Sequence, residues 1–178
     1  MGQSVESFLS ATELQTAVMR KILVQSGFPP RVVSTDWYPQ ARWLAALRFI
    51  AEAIGENTLL AVGKRIVDSA AWPEEVTTID AGLASIDVAY HMNHRINGAP
   101  LFDPATGTMT EGIGHYQYCP AETRRAVMVC HNPYPSDMDR GIILAVARKF
   151  KPAAEVSLDE SKPTRKRGGE SCTYHVTW

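Results

Sequence analysis

Apolar positions in the first half of the chain recur at helical spacing. Leu14, Val18 and Ile22 share one face, preceded by Ser10/Glu13 and Thr12/Gln15 at capping-box spacing. Gly27 and then Pro29-Pro30 end that segment. A second helix is expected from Pro39, which suits a first helical turn, with Trp43, Leu47, Ile50 and Ile54 as its buried stripe and Gly55 as its end. Asn57 is the expected cap of the next helix, whose apolar positions are Leu59, Leu60, Val62, Ile66 and Val67 and whose stop is Pro73. Gly63 inside it costs roughly 1 kcal/mol in propensity, which points to close packing there. A further long helix is expected from Thr78 to Asn97. Thr77 or Thr78 caps it, Asp80 sits near its positive end, and Ile79, Leu83, Ile86 and Tyr90 form its core stripe.

After Gly98 the period changes. Ile113 to Tyr118 and Ala126 to His131 read as strands, and the second is apolar on both faces, as a central strand is. The turn Asn132-Pro133-Tyr134-Pro135 leads to a helix that Ser136 can cap, with Asp137 and Asp139 in its first turn and Ile142, Ile143, Val146 and Phe150 as its stripe. Two alternating strands follow, Ala154 to Asp159 and Cys172 to Trp178, joined by a polar loop over 160–170. The order is N-terminal helices, then strand, strand, helix, strand, strand. That order predicts an α+β fold with an antiparallel sheet: one domain over 1–178, with a helical half (1–98) and a sheet-containing half (99–178).

Composition agrees with one globular domain. The chain has 178 residues, 45% hydrophobic and 21% charged, which excludes disordered and collagen-like classes. A net charge of −1 argues against steering onto nucleic acid. No apolar run is long enough to span a membrane, and Met1 to Thr16 lacks the pattern of a secretory signal. Three cysteines (Cys119, Cys130, Cys172) with no CxxC pair fit a reducing compartment, so a cytoplasmic location is expected.

The most suggestive chemistry lies on the long helix. Asp87, His91 and His94 at i, i+4 and i+7 share one stripe, and one carboxylate with two imidazoles is a known metal-ligand set. His91 and His94 are therefore the candidate metal ligands, for a metal ion or a heme, against the plainer reading of an i, i+4 surface pair and a solvated helix end. The turn from Cys130 to Arg140 offers the N-terminus of a helix, but Asp137 and Asp139 already complement its dipole. There is no GxSxG elbow, no P-loop and no GxGxxG, so no catalytic residue is named and an enzyme is the less favoured class. The basic cluster Lys162, Arg165, Lys166 and Arg167 has one aromatic nearby, Tyr174, and reads as a charged loop that discourages edge pairing.

The C-terminal third resembles the 4-vinyl reductase domain family, related in fold to heme-NO-binding domains and to the TRAPP vesicle-tethering subunits. The residues that carry this are the strand Val127 to Cys130, the helix opening Asp139-Arg140-Gly141, and the tail Gly168-Gly169-Glu170-Ser171-Cys172-Thr173-Tyr174. The resemblance implies an α+β domain with a pocket between helices and sheet, and a sensor or binder of hydrophobic small molecules or a tetrapyrrole, often a homodimer. The Tyr-x-Ser-x-Arg signature of the heme-NO-binding branch is absent. Some relatives gather cysteines near the sheet; Cys130 and Cys172 match such positions, whereas Ser136 and Thr164 stand where further thiols are expected.

The leading expectation is a ligand-binding sensor domain whose pocket is lined by Tyr90, Met128, Cys130 and Tyr174, with polar contacts from His91, His94 and Arg95. Such a sensor needs an output partner protein. The first alternative is a heme or metal protein using His91 or His94 with Cys130 or Cys172. The second is a dimeric interaction module with Trp37, Tyr38 and Trp72 on its dimer face.

Overall fold

The computed structural model describes residues 16–33 and 35–178. The elements in chain order are α1 (Thr16–Gln25), α2 (Gln40–Ala53), α3 (Glu56–Asp68), α4 (Ile79–Met92), β1 (Arg95–Ile96), β2 (Ala99–Pro100), β3 (Phe102–Asp103) and β4 (Thr108–Met109). They continue with β5 (His115–Pro120), β6 (Arg125–His131), α5 (Ser136–Phe150), β7 (Glu155–Leu158) and β8 (Cys172–Thr177). The class is α+β, as expected. The described chain divides into two compact units. One holds the residues up to Ala70 with Asp137–Ile142; the other holds Ala71–Ser136 and Ile143–Trp178.

The first unit is helical. In α1 the buried face is Met19, Ile22 and Leu23, an i, i+3, i+4 set, so the stripe lies one position beyond the expected one and Val18 is 50% exposed. Leu14 and the expected caps from Ser10 to Gln15 lie outside the described residues. Helix α2 buries Trp43, Ala46, Leu47 and Ile50, and Ile54 is its capping residue rather than part of the stripe. Helix α3 starts earlier than expected. Gly55, at φ +117, is its cap in place of Asn57, because only glycine turns the chain so sharply out of α2. It ends at Asp68, well before Pro73.

Gly63 does mark a close approach. A Cβ there would lie 2.1 Å from the Met138 carbonyl oxygen, and one at Gly141 would lie 2.2 Å from that of Leu60. Two glycines thus let α3 and residues 137–142 meet backbone to backbone.

The second unit is a helix laid on a four-stranded sheet. Thr78 caps α4 by accepting the Ala81 N–H through Oγ1, and Ile79, Leu83, Ile86 and Tyr90 are buried as expected. The helix stops at Met92, not Asn97. Asn97 (φ +52) and Gly98 (φ +83) instead make the two-residue turn of the hairpin β1–β2, which needs both residues left-handed. A second small hairpin, β3–β4, also went unpredicted. The main sheet runs β5-β6-β8-β7, all antiparallel, so β6 is central as expected. Ala126, Met128 and Cys130 alternate inward beside Cys172, Tyr174 and Val176. The cap of α5 is Pro135, and Ser136 is its first helical residue. Trp72 packs edge-on against Phe150, and Tyr38 packs on Phe28, so both rings have partners within their own unit; Trp37 is 42% exposed. No helix among the described residues is long and apolar enough to cross a membrane.

A Gly63→Ala substitution should destabilise the chain by about 1–3 kcal/mol, because overpacking against backbone outweighs the roughly 1 kcal/mol gained in helix propensity. Urea unfolding reads this directly. An unchanged or raised midpoint would contradict the close approach.

Candidate functional site

The sequence-predicted residues fall into three groups, all in the second unit. The first is built on α4. His91 is fully buried, one helical turn after Asp87. Its Nδ1 lies 2.8 Å from the Asp87 carbonyl oxygen and 3.5 Å from the Asp87 carboxylate. A carbonyl only accepts, so Nδ1 carries a proton, and in the neutral ring Nε2 is the lone-pair nitrogen. That Nε2 is buried without a hydrogen-bond partner. The Asp87 carboxylate accepts the Tyr116 N–H through Oδ1 (2.9 Å) and His115 Nδ1 through Oδ2 (2.8 Å). His115 Nε2 in turn donates to Glu111 at 2.9 Å. Two carboxylates on one imidazole raise its pKa, with the Asp87 hydrogen bond first and Glu111 second.

The second group surrounds Tyr90. Its hydroxyl donates to the Ile113 carbonyl at 2.6 Å, and its ring meets His94, Tyr116 and His91 edge-on at 4.5, 5.2 and 5.5 Å. His94 lies just past the end of α4, so it leaves the stripe of Asp87 and His91. Its Nδ1 donates to the Tyr90 carbonyl (2.6 Å), which makes Nε2 the acceptor for the Tyr134 hydroxyl (2.7 Å). Both its ring nitrogens are thereby engaged. Burial pushes its pKa below the ordinary value, partly offset by the Tyr90 hydrogen bond.

The third group lies on the sheet. Met128 pairs with Tyr174 and Cys130 with Cys172 in the β6–β8 register, all fully buried. Tyr174 donates its hydroxyl to the Ser136 carbonyl at 2.7 Å. Arg165 closes one end. Its guanidinium donates to the Cys130 carbonyl at 2.5 Å and its backbone N–H to Cys172 Sγ (3.4 Å), so this member of the expected basic cluster turns inward. Arg95 is exposed on β1.

Sequence reasoning missed His115, Glu111, Tyr116 and Tyr134. His115 opens a strand as a lone histidine, and nothing in the local pattern ties it to Asp87, 28 residues earlier.

No protein-family signature matches the chain, and no curated protein matches it by sequence. Its fold does have solved counterparts. An H-NOX protein from S. oneidensis in the Fe(II)NO ligation state superposes with a TM-score of 0.68 at 11% identity, over 99% of this chain and 98% of that one. The Fe(II) unliganded H-NOX protein from K. algicida gives 0.67 at 17% identity, over 99% and 95%. An oxygen-binding H-NOX domain related to soluble guanylate cyclases gives 0.64 at 15%, over 99% and 91%. The fold relation expected from the resemblance is therefore present: this chain has the fold of H-NOX domains.

His94 should make stability fall in acid. Its folded pKa lies below the ordinary 6.5, so the folded state binds protons later than the unfolded one. Its contribution is complete above about pH 6.5 and is lost as pH falls through the folded value. His115, with a raised pKa, acts with the opposite sign: its contribution is present below about 6.5 and lost as pH rises through its folded value. Urea midpoints for wild type and His94→Gln, taken from about pH 8 to about pH 5, separate the two. The variant should lose less on acidification; parallel curves would contradict the assignment.

Proposed function

We propose that this chain is a heme-binding sensor domain and that His91 is the residue that would hold the heme iron. The observation that carries the reading is the state of the His91 ring. Nδ1 is tied to a backbone carbonyl, and Nε2 is buried and without a hydrogen-bond partner. Metal-ligating histidines show this pattern: one nitrogen donates to a carbonyl or carboxylate, which fixes the tautomer and leaves the other for the metal. An unsatisfied buried nitrogen otherwise costs about 1–3 kcal/mol. The residues present thus fit a heme on the His91 side.

The fold supports the same reading, since its counterparts include H-NOX proteins in Fe(II), Fe(II)NO and oxygen-bound states. A bound heme supplies an iron centre able to take a diatomic gas. His91 would hold it, and Tyr90 and the ring of His115, 5.0 Å from His91, wall the imidazole. His94 is the weaker candidate because Tyr90 and Tyr134 already occupy both its nitrogens. The tail residues Cys172 and Tyr174 support a place in the 4-vinyl reductase-like branch. The chain's strand β5 reads Tyr116-Gln117-Tyr118-Cys119-Pro120, without the Tyr-x-Ser-x-Arg signature, so any heme is held by a different set of contacts at that strand. A homodimer and an output partner protein complete the reading.

Titration of the cofactor-free protein with hemin should give a Soret band that saturates at one heme per chain. His91→Ala should abolish the saturating band or shift it, exogenous imidazole should restore it, and His94→Ala should retain it. A wild-type spectrum no different from free hemin, or an unaltered His91→Ala spectrum, would overturn the proposal.

A further inference from the structure

We propose that Asp87, His91 and His115 form a binding site for one divalent transition-metal ion of the zinc class. One ligand atom from each of the three residues lies within 4.8 Å of the other two. A tetrahedral ion with bonds of about 2.0–2.2 Å to nitrogen and oxygen brings its ligands closer than that, so a small inward movement of the half-exposed His115 completes the set. Two imidazoles and one carboxylate suit zinc, nickel, cobalt or copper rather than calcium or magnesium, which favour oxygen.

Three features favour an ion over a purely structural hydrogen-bond cluster. Asp87 and His91 stand at i, i+4 on α4, so one rigid element presents two of the donors. His91 is fully buried and holds a ring nitrogen with no partner, so the imidazole has donor capacity that the protein leaves unused. Glu111 accepts from His115 Nε2 at 2.9 Å, which orients that ring and leaves Nδ1 toward Asp87. A carboxylate behind a ligating histidine is the usual supporting arrangement. Exposure falls inward through the site: Glu111 78%, His115 35%, Asp87 18% and His91 0%. The ion therefore has an entry side at the exposed Glu111 and a closed side at His91.

The site shares His91 with the heme reading, so zinc and hemin would compete for its one unpartnered nitrogen, whereas His115, Asp87 and Glu111 have no ligating part in that reading. Calorimetric titration of the cofactor-free protein with zinc chloride should show one site per chain with micromolar or tighter affinity. Cobalt(II) in its place should give the visible bands of a nitrogen- and oxygen-ligated ion. His115→Ala should weaken zinc binding at least about 100-fold, the upper end of what loss of a mere supporting partner costs, and Glu111→Gln about 10-fold. His131→Ala and His175→Ala should bind as wild type does. Retained circular dichroism of the half-exposed His115→Ala variant confirms folding, and Glu111→Gln tests the site if that variant unfolds. His115→Ala should leave any hemin Soret band in place, whereas His91→Ala should remove both activities. Absence of saturable zinc binding, or binding unchanged in both His115→Ala and Glu111→Gln, would overturn the proposal whatever the hemin result.

Discussion

The second unit depends on how one helix is fastened to one strand. Along α4 three side chains reach β5 and the residues just before it, and they do so in reverse order. Tyr118 donates to Asp80, Tyr116 N–H and His115 donate to Asp87, and Tyr90 donates to the Ile113 carbonyl. This sets the helix antiparallel to the edge strand and fixes its rotation. Asp87 is the centre of that clasp. Its two oxygens serve different partners, one backbone and one side chain, so an apolar residue there would leave a strand N–H unsatisfied. The Tyr118 phenol, half withdrawn from water and facing the Asp80 carboxylate, has its pKa pushed up to about 12 and stays a donor at any physiological pH.

That rotation decides which imidazole is available. With Asp87 turned to the strand, His91 one turn later is driven into the interior, and its Nδ1 donates to the carbonyl of Asp87. His94 escapes because the helix has ended. The left-handed pair Asn97-Gly98 turns the chain back on itself, and the imidazole folds under the Tyr90 carbonyl to receive the Tyr134 hydroxyl. Two histidines three residues apart thus acquire opposite characters. One is fully satisfied and structural; the other keeps a buried lone pair.

Hydrophobic periodicity made most of the elements legible. The stripes of α2 and α4, the alternation of β6 and β8, and the close approach at Gly63 follow from residues a few positions apart, where local geometry dictates the pattern. The misplacements share a cause. The end of α4 and the cap of α3 are set by glycine and asparagine backbone angles, which periodicity does not encode. The site was half legible. Asp87 and His91 announce themselves by spacing, but His115, Glu111 and Tyr134 join them only through the pairing of helix with sheet, which links residues tens of positions apart.

The central claim is that His91 presents a buried, unprotonated Nε2, and the protonation of that ring can be observed directly. Nitrogen-15 NMR of histidine-labelled, cofactor-free protein near neutral pH, with His91 assigned by its absence from His91→Ala, distinguishes the two neutral tautomers and the imidazolium. The account predicts the neutral ring with its proton on Nδ1, held by the Asp87 carbonyl, and a large change at Nε2 when hemin is added. A ring protonated at Nε2, or a doubly protonated ring, would contradict it.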